Sequence, residues 1–478
     1  SFEYHVLPRS QIPMASRTLI IGAAGAVGKE LSRALKNAGS VIIAADRHEH
    51  LPSSIKGVAS VLVGGVDVRD ERAVSALIRE HACPKTTVWN LAAPLSVETA
   101  LSPGVAEAVT VKGMRNVLSA MSAVGCRRIC FTDSIGSFGA EAPRHGVKAS
   151  WLVANPGQDP GSDYGRQKRA VREMLSDFEL SGGDPRFAVL PGVIHTQPVW
   201  GNGTTEYALD AIRAAASGKP FACPIDPDVV LPMIFVDDLM RGLVSLQFAK
   251  KSELREPQRG YNIPGLSFTA NQLFHEIRQH VPGFETYQNI NPDMNKFAKL
   301  WPSTLSAEEP LRDLEYEPLV SLPRMVAHVL NSHSARRLSN RAAFRSIDAG
   351  ETGRIDAAAL AKYVRKYLVT GRETQGFRIT RHELVDKFVR KALPEMDADQ
   401  DGRVTLDDFM KWSSKNSAEK RIQDLVDDFV ATALPEMDVD NDGFVSLDDF
   451  MKWSWNNEVE NRVDDFLVQK LKVQASSF

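Results

Sequence analysis

The chain is poor in cysteine. Four cysteines stand among 478 residues, and no two of them form a Cys-x-x-Cys pair. Disulfide-stabilised domains and structural zinc sites both need more cysteine than this, at closer spacing. We therefore expect reduced thiols, a reducing compartment and a protein that is not secreted.

Long apolar runs and a large excess of one charge are also missing. No apolar run reaches the roughly 20 residues that cross a bilayer, so no membrane span is predicted. The net charge is -3; residues 343–478 carry 26 acidic and 20 basic side chains, and the residues before them carry 34 and 37. Neither part has the basic stripe that binds a phosphate backbone, which argues against a nucleic-acid partner.

Short aliphatic runs alternate with helix-length segments in the first part of the chain. The predicted buried strands are residues 18–21, 41–45, 58–63, 87–91 and 128–131, followed by a helix near 164–180 and a strand at 187–190. This alternation predicts an α/β fold with a Rossmann-like doubly wound parallel sheet. The Pro- and Gly-rich segments that follow predict a small substrate lobe.

A glycine motif follows the first predicted strand and opens a helix. Its glycines, Gly22, Gly25 and Gly28, would let the backbone approach a pyrophosphate at the helix N-terminus. Asp46 ends the second strand, where a carboxylate can accept hydrogen bonds from ribose hydroxyls and repel a 2′-phosphate, which favours NAD over NADP. Further predicted cofactor contacts lie after the third strand and at the end of the fourth: Asp67, Val68, Leu91, Ala92 and Ala93. The alternative is a tight turn that binds nothing.

A second motif places a phenol and an ammonium four residues apart on one helix face, at Tyr164 and Lys168. A tyrosine with its ordinary pKa near 10 is a poor base at neutral pH, and a nearby cation favours the phenolate. Ser134, at the end of the fifth strand, could hydrogen-bond the reacting oxygen. These three residues are the predicted catalytic group; the alternative is an exposed helix pair.

Several segments resemble one branch of the extended short-chain dehydrogenases, the L-threonine 3-dehydrogenases. They are residues 131–139, 191–194, 203–208, 231–233, 267–269 and 301–302, and the similarity runs from about residue 18 to residue 330. The resemblance implies oxidation of the L-threonine 3-hydroxyl to 2-amino-3-oxobutanoate. Tyr164 would take the hydroxyl proton. Lys168 would lower the pKa of Tyr164 and hold the nicotinamide ribose, and Ser134 would orient the developing carbonyl.

The resemblance also implies the remaining site residues, the assembly and the location. Pro191 and Val193 would shape the nicotinamide pocket. The implied substrate residues are Ser96, Ser134, Gly203, Thr204, Thr205 and Trp301. Family members commonly form dimers, and eukaryotic ones are mitochondrial, so a homodimer or larger assembly in mitochondria is expected, with the cytoplasm as the alternative.

The chain differs from the family pattern at three positions. Asp133 stands where the family usually has Ser, Asn202 interrupts a triple glycine, and Thr110 replaces an Asn of the proton path. An inward-pointing Asp133 would raise the pKa of Tyr164 and weaken the base. Two other functions therefore stay open: a sugar-nucleotide epimerase or dehydratase, and a cation-binding structural or assembly subunit without turnover.

An internal repeat with an offset of 41 residues occupies the end of the chain, and it carries two twelve-residue loops of the EF-hand type. Alternate carboxylates converge on one cation, and a glycine makes the sharp turn. The predicted ligands are Asp397, Asp399, Asp401, Arg403 and Asp408 in one loop and Asp438, Asp440, Asp442, Phe444 and Asp449 in the other. Both loops end in Asp instead of the usual Glu, so we expect weak calcium binding or tolerance of magnesium.

A third loop, residues 348–359, has Gly350, Thr352 and Ala359 at liganding positions and is predicted to bind no ion. EF-hand loops form pairs, so one of three loops is left without a partner. The sequence pattern does not show which two loops pair with each other. The predicted organisation is an N-terminal arm (1–16), an NAD-binding domain with its substrate lobe (17–333), a linker (334–342), an all-α EF-hand domain (343–470) and a tail (471–478).

Overall fold

The computed structural model describes residues 16–94, 96–196 and 203–333, together with 354–355, 396, 404–405 and 408. The chain divides into two compact units, Ser1–His333 and Ser334–Phe478. No helix among the described residues is long and apolar enough to cross a membrane. The predicted linker and tail, and all but the last residue of the predicted arm, lie outside the described residues.

Strands and helices alternate through most of the first unit. The strands are β1 (Arg17–Ile21), β2 (Val41–Ala45), β3 (Val61–Val63), β4 (Thr86–Asn90), β5 (Arg128–Ser134), β6 (Asp184–Leu190), β7 (Gly192–Ile194), β8 (Phe221–Cys223), β9 (Val230–Phe235), β10 (Gly260–Asn262), β11 (Leu266–Thr269) and β12 (Thr286–Gln288). The helices are α1 (Ala26–Asn37), α2 (Ser53–Lys56), α3 (Glu71–His81), α4 (Ser96–Leu101), α5 (Pro103–Glu107), α6 (Gly113–Ala123), α7 (Ser150–Ala154), α8 (Asp163–Leu180), α9 (Tyr207–Ala216), α10 (Val236–Phe248), α11 (Ala270–His280), α12 (Pro292–Leu300), α13 (Glu308–Leu314) and α14 (322–333). A π-helical turn covers Ala108–Lys112, and 3-10 turns cover Ile135–Ser137 and Pro257–Arg259.

The main sheet has seven parallel strands in the order β10-β6-β5-β4-β1-β2-β3. Its central strands are aliphatic and almost fully buried, as expected for a sheet covered by helices on both faces. The chain reverses its direction of travel across the sheet between β3 and β4, so β1 and β4 border the switch point. A crevice for a ligand is expected there, at the carboxyl ends of the strands. The predicted α/β fold class is confirmed.

Three predicted strands differ from the observed ones by three residues at one end, and one of them, β6, begins at Asp184 instead of residue 187. The third was expected over residues 58–63, but β3 begins at Val61, because the N–H groups of Val58 and Ala59 donate to the carbonyl of Ile55 at the end of α2. The fifth was expected to end at residue 131, whereas β5 continues to Ser134 and pairs with β6 along its whole length. Ser134 is thus the last residue of a strand in a rigid sheet.

Side-chain caps fix the starts of several helices. Asp70 accepts hydrogen bonds from the N–H groups of Arg72 and Ala73 at the start of α3, and Ser162 accepts one from Gly165 at the start of α8. Because the first N–H groups of a helix have no partner within it, such caps define where it begins. The cap at Ser162 sets the start of the helix that carries Tyr164 and Lys168.

Smaller sheets form the part of the first unit that corresponds to the expected substrate lobe. The strands β11, β9 and β7 form a three-stranded sheet, and β12 pairs with β8. Strand β7 follows β6 after one residue, Pro191, so the chain passes directly from the main sheet to the smaller one. Residues from both sheets therefore reach the carboxyl edge of β6.

The second unit contains a short antiparallel pair, β13 (Arg354–Ile355) with β14 (Val404–Thr405), in which Ile355 faces Val404. These residues belong to the loop 348–359, which is predicted to bind no ion, and to the loop 397–408. The question that the sequence left open is answered for these two loops, since they pair with each other. Paired loops of this kind are typical of EF-hand domains, and the all-α EF-hand prediction agrees with this pairing.

Candidate active site

A pocket of about 830 Å³ opens at the carboxyl edge of the main sheet. It is lined by segments that follow β1 to β6, and by residues of α8. All but one of the predicted cofactor, substrate and catalytic residues line it: Gly22, Gly25, Gly28, Asp46, Asp67, Val68, Leu91, Ala92, Ala93, Ser134, Tyr164, Lys168, Pro191, Val193, Gly203, Thr204, Thr205 and Trp301. The exception is Ser96, which begins α4 but whose side chain lies outside the described residues.

The glycines at one end of the pocket are required by close backbone contacts. Gly22 has a φ of +84°, and a Cβ on it would lie 3.0 Å from the backbone of Leu91 and Ala92. A Cβ on Gly28 would lie 2.3 Å from the carbonyl oxygen of Gly22. Larger residues would push the turn and α1 apart. This end of the pocket is therefore a cradle of backbone atoms at a helix N-terminus, the arrangement that suits a pyrophosphate.

Acidic side chains border this cradle. Asp46 is 6% exposed, and its Oδ2 accepts a hydrogen bond from the backbone N–H of Ala24 at 2.8 Å, so it braces the glycine turn as well as facing the pocket. Asp67 forms a bidentate pair with Arg69, whose hydrogen bonds hold the pKa of that carboxyl below its usual value. Both carboxylates are thus held in place by backbone or arginine donors.

Ser134, Tyr164 and Lys168 come together at the centre of the pocket. Ser134 Oγ accepts a hydrogen bond from the N–H of Gly136 at 3.1 Å. A Cβ on Gly136 would lie 3.2 Å from the Tyr164 ring, so the glycine lets the ring approach the end of β5. Lys168 Nζ donates to the carbonyl of Thr132 at 2.8 Å and lies 5.4 Å from the centre of the Tyr164 ring.

Burial shifts both titratable members of this group toward their neutral forms. Burial raises the pKa of Tyr164 to about 12; a hydrogen bond with the Ser134 side chain lowers it, and the charge of Asp133 raises it. Burial lowers the pKa of Lys168 to about 8; the negative charge of Asp133 raises this pKa, and the positive charge of Arg172 lowers it further. Lys168 remains mostly protonated at neutral pH, as a cation beside the phenol.

The other end of the pocket carries buried polar atoms. The carboxylate atom Glu206 Oε2 and the indole Nε1 of Trp301 are buried and have no hydrogen-bond partner in the described structure. Burial, with the nearby charge of Asp210, raises the pKa of Glu206 to about 7, although Arg213 lowers it. Trp301 is stacked on Phe297 and reaches within 3.4 Å of where a Gly136 Cβ would lie, next to Tyr164. A ligand could satisfy both atoms.

Sequence reasoning missed Glu206 as a site residue. It follows Thr205 directly in a segment that was recognised, so its position was available, but its burial was not. Of the three departures from the family pattern, Thr110 is buried in the π-helical turn and does not line the pocket, and Asn202 lies outside the described residues. Asp133 is fully buried and forms an ion pair with Arg172, a partner that the sequence did not suggest.

The sequence profile of the "NAD dependent epimerase/dehydratase family" matches residues 18–263. The chain belongs to this family. A second profile, "EF-hand domain pair", matches residues 339–414, which include the two loops that β13 and β14 join.

Among curated relatives, this epimerase/dehydratase-family chain is 29% identical over 252 residues to the mitochondrial L-threonine 3-dehydrogenase of Bos taurus. That match covers 52% of the chain and 65% of the bovine protein, which is less than two thirds of its length. Among solved structures, a partial consensus L-threonine 3-dehydrogenase is 29% identical with a TM-score of 0.59; the similarity covers 67% of this chain and 99% of that one. The GalE-like L-threonine dehydrogenase from Cupriavidus necator (holo form) is 28% identical with a TM-score of 0.58, over 66% and 99% of the two chains.

Membership of the NAD dependent epimerase/dehydratase family supports NAD as the ligand of the backbone cradle. The cradle fits it, because Gly22 and Gly28 allow a tight backbone turn at the N-terminus of α1 and because Asp46 borders it.

The predicted cation ligands lie outside the described residues, with the exception of Asp408. Asp408 is buried, and its Oδ2 accepts hydrogen bonds from the N–H and the hydroxyl of Thr405 at 3.0 and 2.5 Å. Among the described residues, no group of three or more His, Cys, Asp or Glu side chains could hold a metal ion.

Proposed function

We propose that this chain is an NAD-dependent L-threonine 3-dehydrogenase that oxidises the 3-hydroxyl to the ketone. The observation that carries the proposal is that two buried polar atoms of the pocket, Glu206 Oε2 and Trp301 Nε1, have no hydrogen-bond partner in the described structure. An acidic acceptor that ionises near neutral pH and a neutral indole donor, in the pocket that also contains Ser134 and Tyr164, are complementary to a small molecule that has an ammonium, a carboxylate and a hydroxyl. The likeness to threonine dehydrogenases supports the same substrate.

Each residue has a defined task in this reaction. Bound NAD supplies the hydride acceptor. Ser134 holds the substrate oxygen at the end of β5, and Tyr164 accepts the hydroxyl proton. Lys168 stays protonated beside Tyr164 and stabilises its phenolate, the form of the side chain that can accept the substrate proton. Glu206 binds the ammonium and so orients the 3-carbon toward the cofactor.

The EF-hand domain is proposed to bind divalent cations at the loops 397–408 and 438–449 and to modulate the activity. The pairing of Ile355 with Val404 supports a structural role for the ion-free loop, because it joins that loop to one with a full set of carboxylates. The proposed location is the mitochondrion and the proposed assembly a homodimer, both on the basis of the relatives. The proposed domain limits are those expected from the sequence.

The test is NADH formation by the purified full-length chain with NAD and L-threonine, in excess calcium and again with a chelator. Turnover in both conditions is expected, with a difference between them if the EF-hands regulate. The substrate is checked with 3-hydroxybutyrate, which keeps the hydroxyl and the carboxylate but lacks the ammonium, and we expect it to react at least about tenfold more slowly. Equal rates for both compounds would remove the role given to Glu206. Absence of turnover with NAD still bound would favour a structural subunit.

A further inference from the structure

Asp133 is a buried carboxylate next to the catalytic serine. Its side chain has no exposed surface. Oδ1 accepts a hydrogen bond from the backbone N–H of Ser134 at 2.8 Å and another from the hydroxyl of Ser137 at 2.5 Å. The carboxylate thus ties the end of β5 to the 3-10 turn Ile135–Ser137, which Ser134 caps.

The other oxygen of this carboxylate faces α8. Arg172 Nη1 donates to Asp133 Oδ2 at 2.5 Å, and the arginine side chain is 5% exposed. Arg172 lies one turn after Lys168 and two turns after Tyr164, so the three side chains share one helix face. Burial of a single charge here would be costly, whereas burial of a hydrogen-bonded pair is tolerated. Each charge of the pair therefore reduces the free-energy cost of burying the other.

We propose that Asp133 and Arg172 form a positioning pair for the catalytic group, one that fixes Ser134 and balances the charge beneath Tyr164 and Lys168. The inference rests on the proposed function, since it concerns the reaction of that same group. It also accounts for the departure at Asp133: the carboxylate does not face Tyr164 as an isolated charge, because Arg172 is bound to it.

The charged side chains around this pair can be specified for the described residues of the elements packed on α8. Arg172 lies on α8, one and two turns after Lys168 and Tyr164, and Asp133 lies on β5. His195 and Glu206 line the pocket that Asp133, Tyr164 and Lys168 also line. At the opposite end of β6, Arg186 and Arg259 both pair with Asp184, and Glu107, Lys112 and Arg115, on the turns and helices beside α8, are exposed.

Opposite charge removals should therefore have opposite effects. Asp133→Asn keeps an acceptor for Ser134 and Ser137 but removes the negative charge, so the pKa values of Tyr164 and Lys168 both fall. Arg172→Met leaves Asp133 unbalanced, so both pKa values rise. The bell-shaped profile of kcat/KM against pH should move to lower pH in the first variant and to higher pH in the second, by about one pH unit each.

The experiment measures these profiles with NAD and L-threonine for the wild type, for both single variants and for the double variant Asp133→Asn/Arg172→Met. The double variant should have a profile between those of the single variants and a higher melting temperature than either, because no unpaired charge stays buried. Arg166→Met is the matched control. It removes one positive charge from α8 at a side chain that is 44% exposed and pairs with Asp159 and Asp163, and it should leave the profile in place.

Two results would overturn the positioning role. One is a loss of kcat in both single variants with unmoved profiles, which indicates a structural role only; the other is a shift of both profiles in the same direction. If the wild type does not oxidise L-threonine, the proposed function fails, and the pair is then tested without turnover. The ultraviolet titration of the Tyr164 phenolate, as the difference between each protein and its Tyr164→Phe version with NAD bound, should still move in opposite directions in the two variants.

Discussion

The two ends of the pocket are built in different ways. The cofactor end consists of backbone atoms from one contiguous turn, in which Gly22 and Gly28 allow close approach. The substrate end consists of buried side chains from distant segments, among them Glu206 and Trp301, whose polar atoms lack partners in the described structure. The conformation of a backbone turn depends on the local sequence. Whether a buried polar side-chain atom has a hydrogen-bond partner depends instead on which distant segments pack around it. Changes at the two ends should accordingly affect different measurements.

The largest effect is expected from the residue that lies between the two ends. Tyr164→Phe removes the proton acceptor, and kcat should fall by about 10²- to 10⁴-fold. NAD affinity, measured by calorimetry, should stay within about twofold of the wild type, because the backbone cradle is untouched.

Tyr207→Phe is the control for that change. Tyr207 is fully buried and its hydroxyl has no hydrogen-bond partner in the described residues, so the variant removes a hydroxyl outside the pocket. It should keep its turnover. A Tyr164→Phe protein with normal kcat would remove the catalytic role of the phenol and favour a different proton acceptor.

Glu206→Gln should disturb the substrate end alone. Loss of a charge-assisted hydrogen bond costs about 1.5–3 kcal/mol, so KM for L-threonine should rise by about ten- to a hundredfold, with NAD affinity unchanged. The pKa of Glu206 is raised to about 7, so its carboxylate forms as the pH passes upward through that value. KM of the wild type should therefore fall as the pH rises through 7, and this dependence should be absent from the variant.

The exposed Glu308, 70% accessible, provides the control. Glu308→Gln removes the same charge far from the pocket lining, so KM and its pH dependence should match the wild type. If Glu206→Gln kept the wild-type pH dependence of KM, another group would have to bind the ammonium.

Gly28→Ala should disturb the cofactor end alone. The new Cβ would lie 2.3 Å from the Gly22 carbonyl, so the turn must shift, and Kd for NAD should rise by about tenfold or more. Gly57→Ala is the control, because nothing lies within 4 Å of its Cβ position and its φ of -83° is open to alanine. A weaker effect of Gly28→Ala than of Gly57→Ala on NAD affinity would contradict the cradle.

The smallest effect on the dehydrogenase chemistry is expected from the cation loops. Both loops end in Asp, which reaches less far than Glu, and Asp408 Oδ2 already accepts two hydrogen bonds from Thr405. We expect calcium binding with a Kd of about 10 µM or weaker and competition from about 1 mM magnesium, measured by calorimetry.

Asp348→Ala, in the ion-free loop, should leave cation binding unchanged, whereas Asp397→Ala should abolish one site. Tight calcium binding that magnesium does not affect would contradict the expectation that Asp at the last loop position weakens calcium binding.

Much of the fold could be predicted because the strands β1, β2, β4 and β6 are short aliphatic runs between helical segments. Strand limits were less predictable. Val58 has the side chain of a strand residue, but its N–H is used at the end of α2. Ser134 carries no strand propensity of its own, yet it pairs with Leu190 because β6 continues beside it. Both differences come from hydrogen bonds to other segments, which propensity does not contain.

The sequence by itself determined the α/β class, the family resemblance, the glycine turn and the Tyr164–Lys168 spacing, because each depends on patterns within short contiguous segments of the chain. Only the tertiary structure decided that Glu206 Oε2 is buried without a hydrogen-bond partner in the described residues, that Arg172 pairs with Asp133, and that the loop 348–359 pairs with 397–408. Burial and ion pairing depend on which distant segments meet, and that is set by the packing of the whole unit.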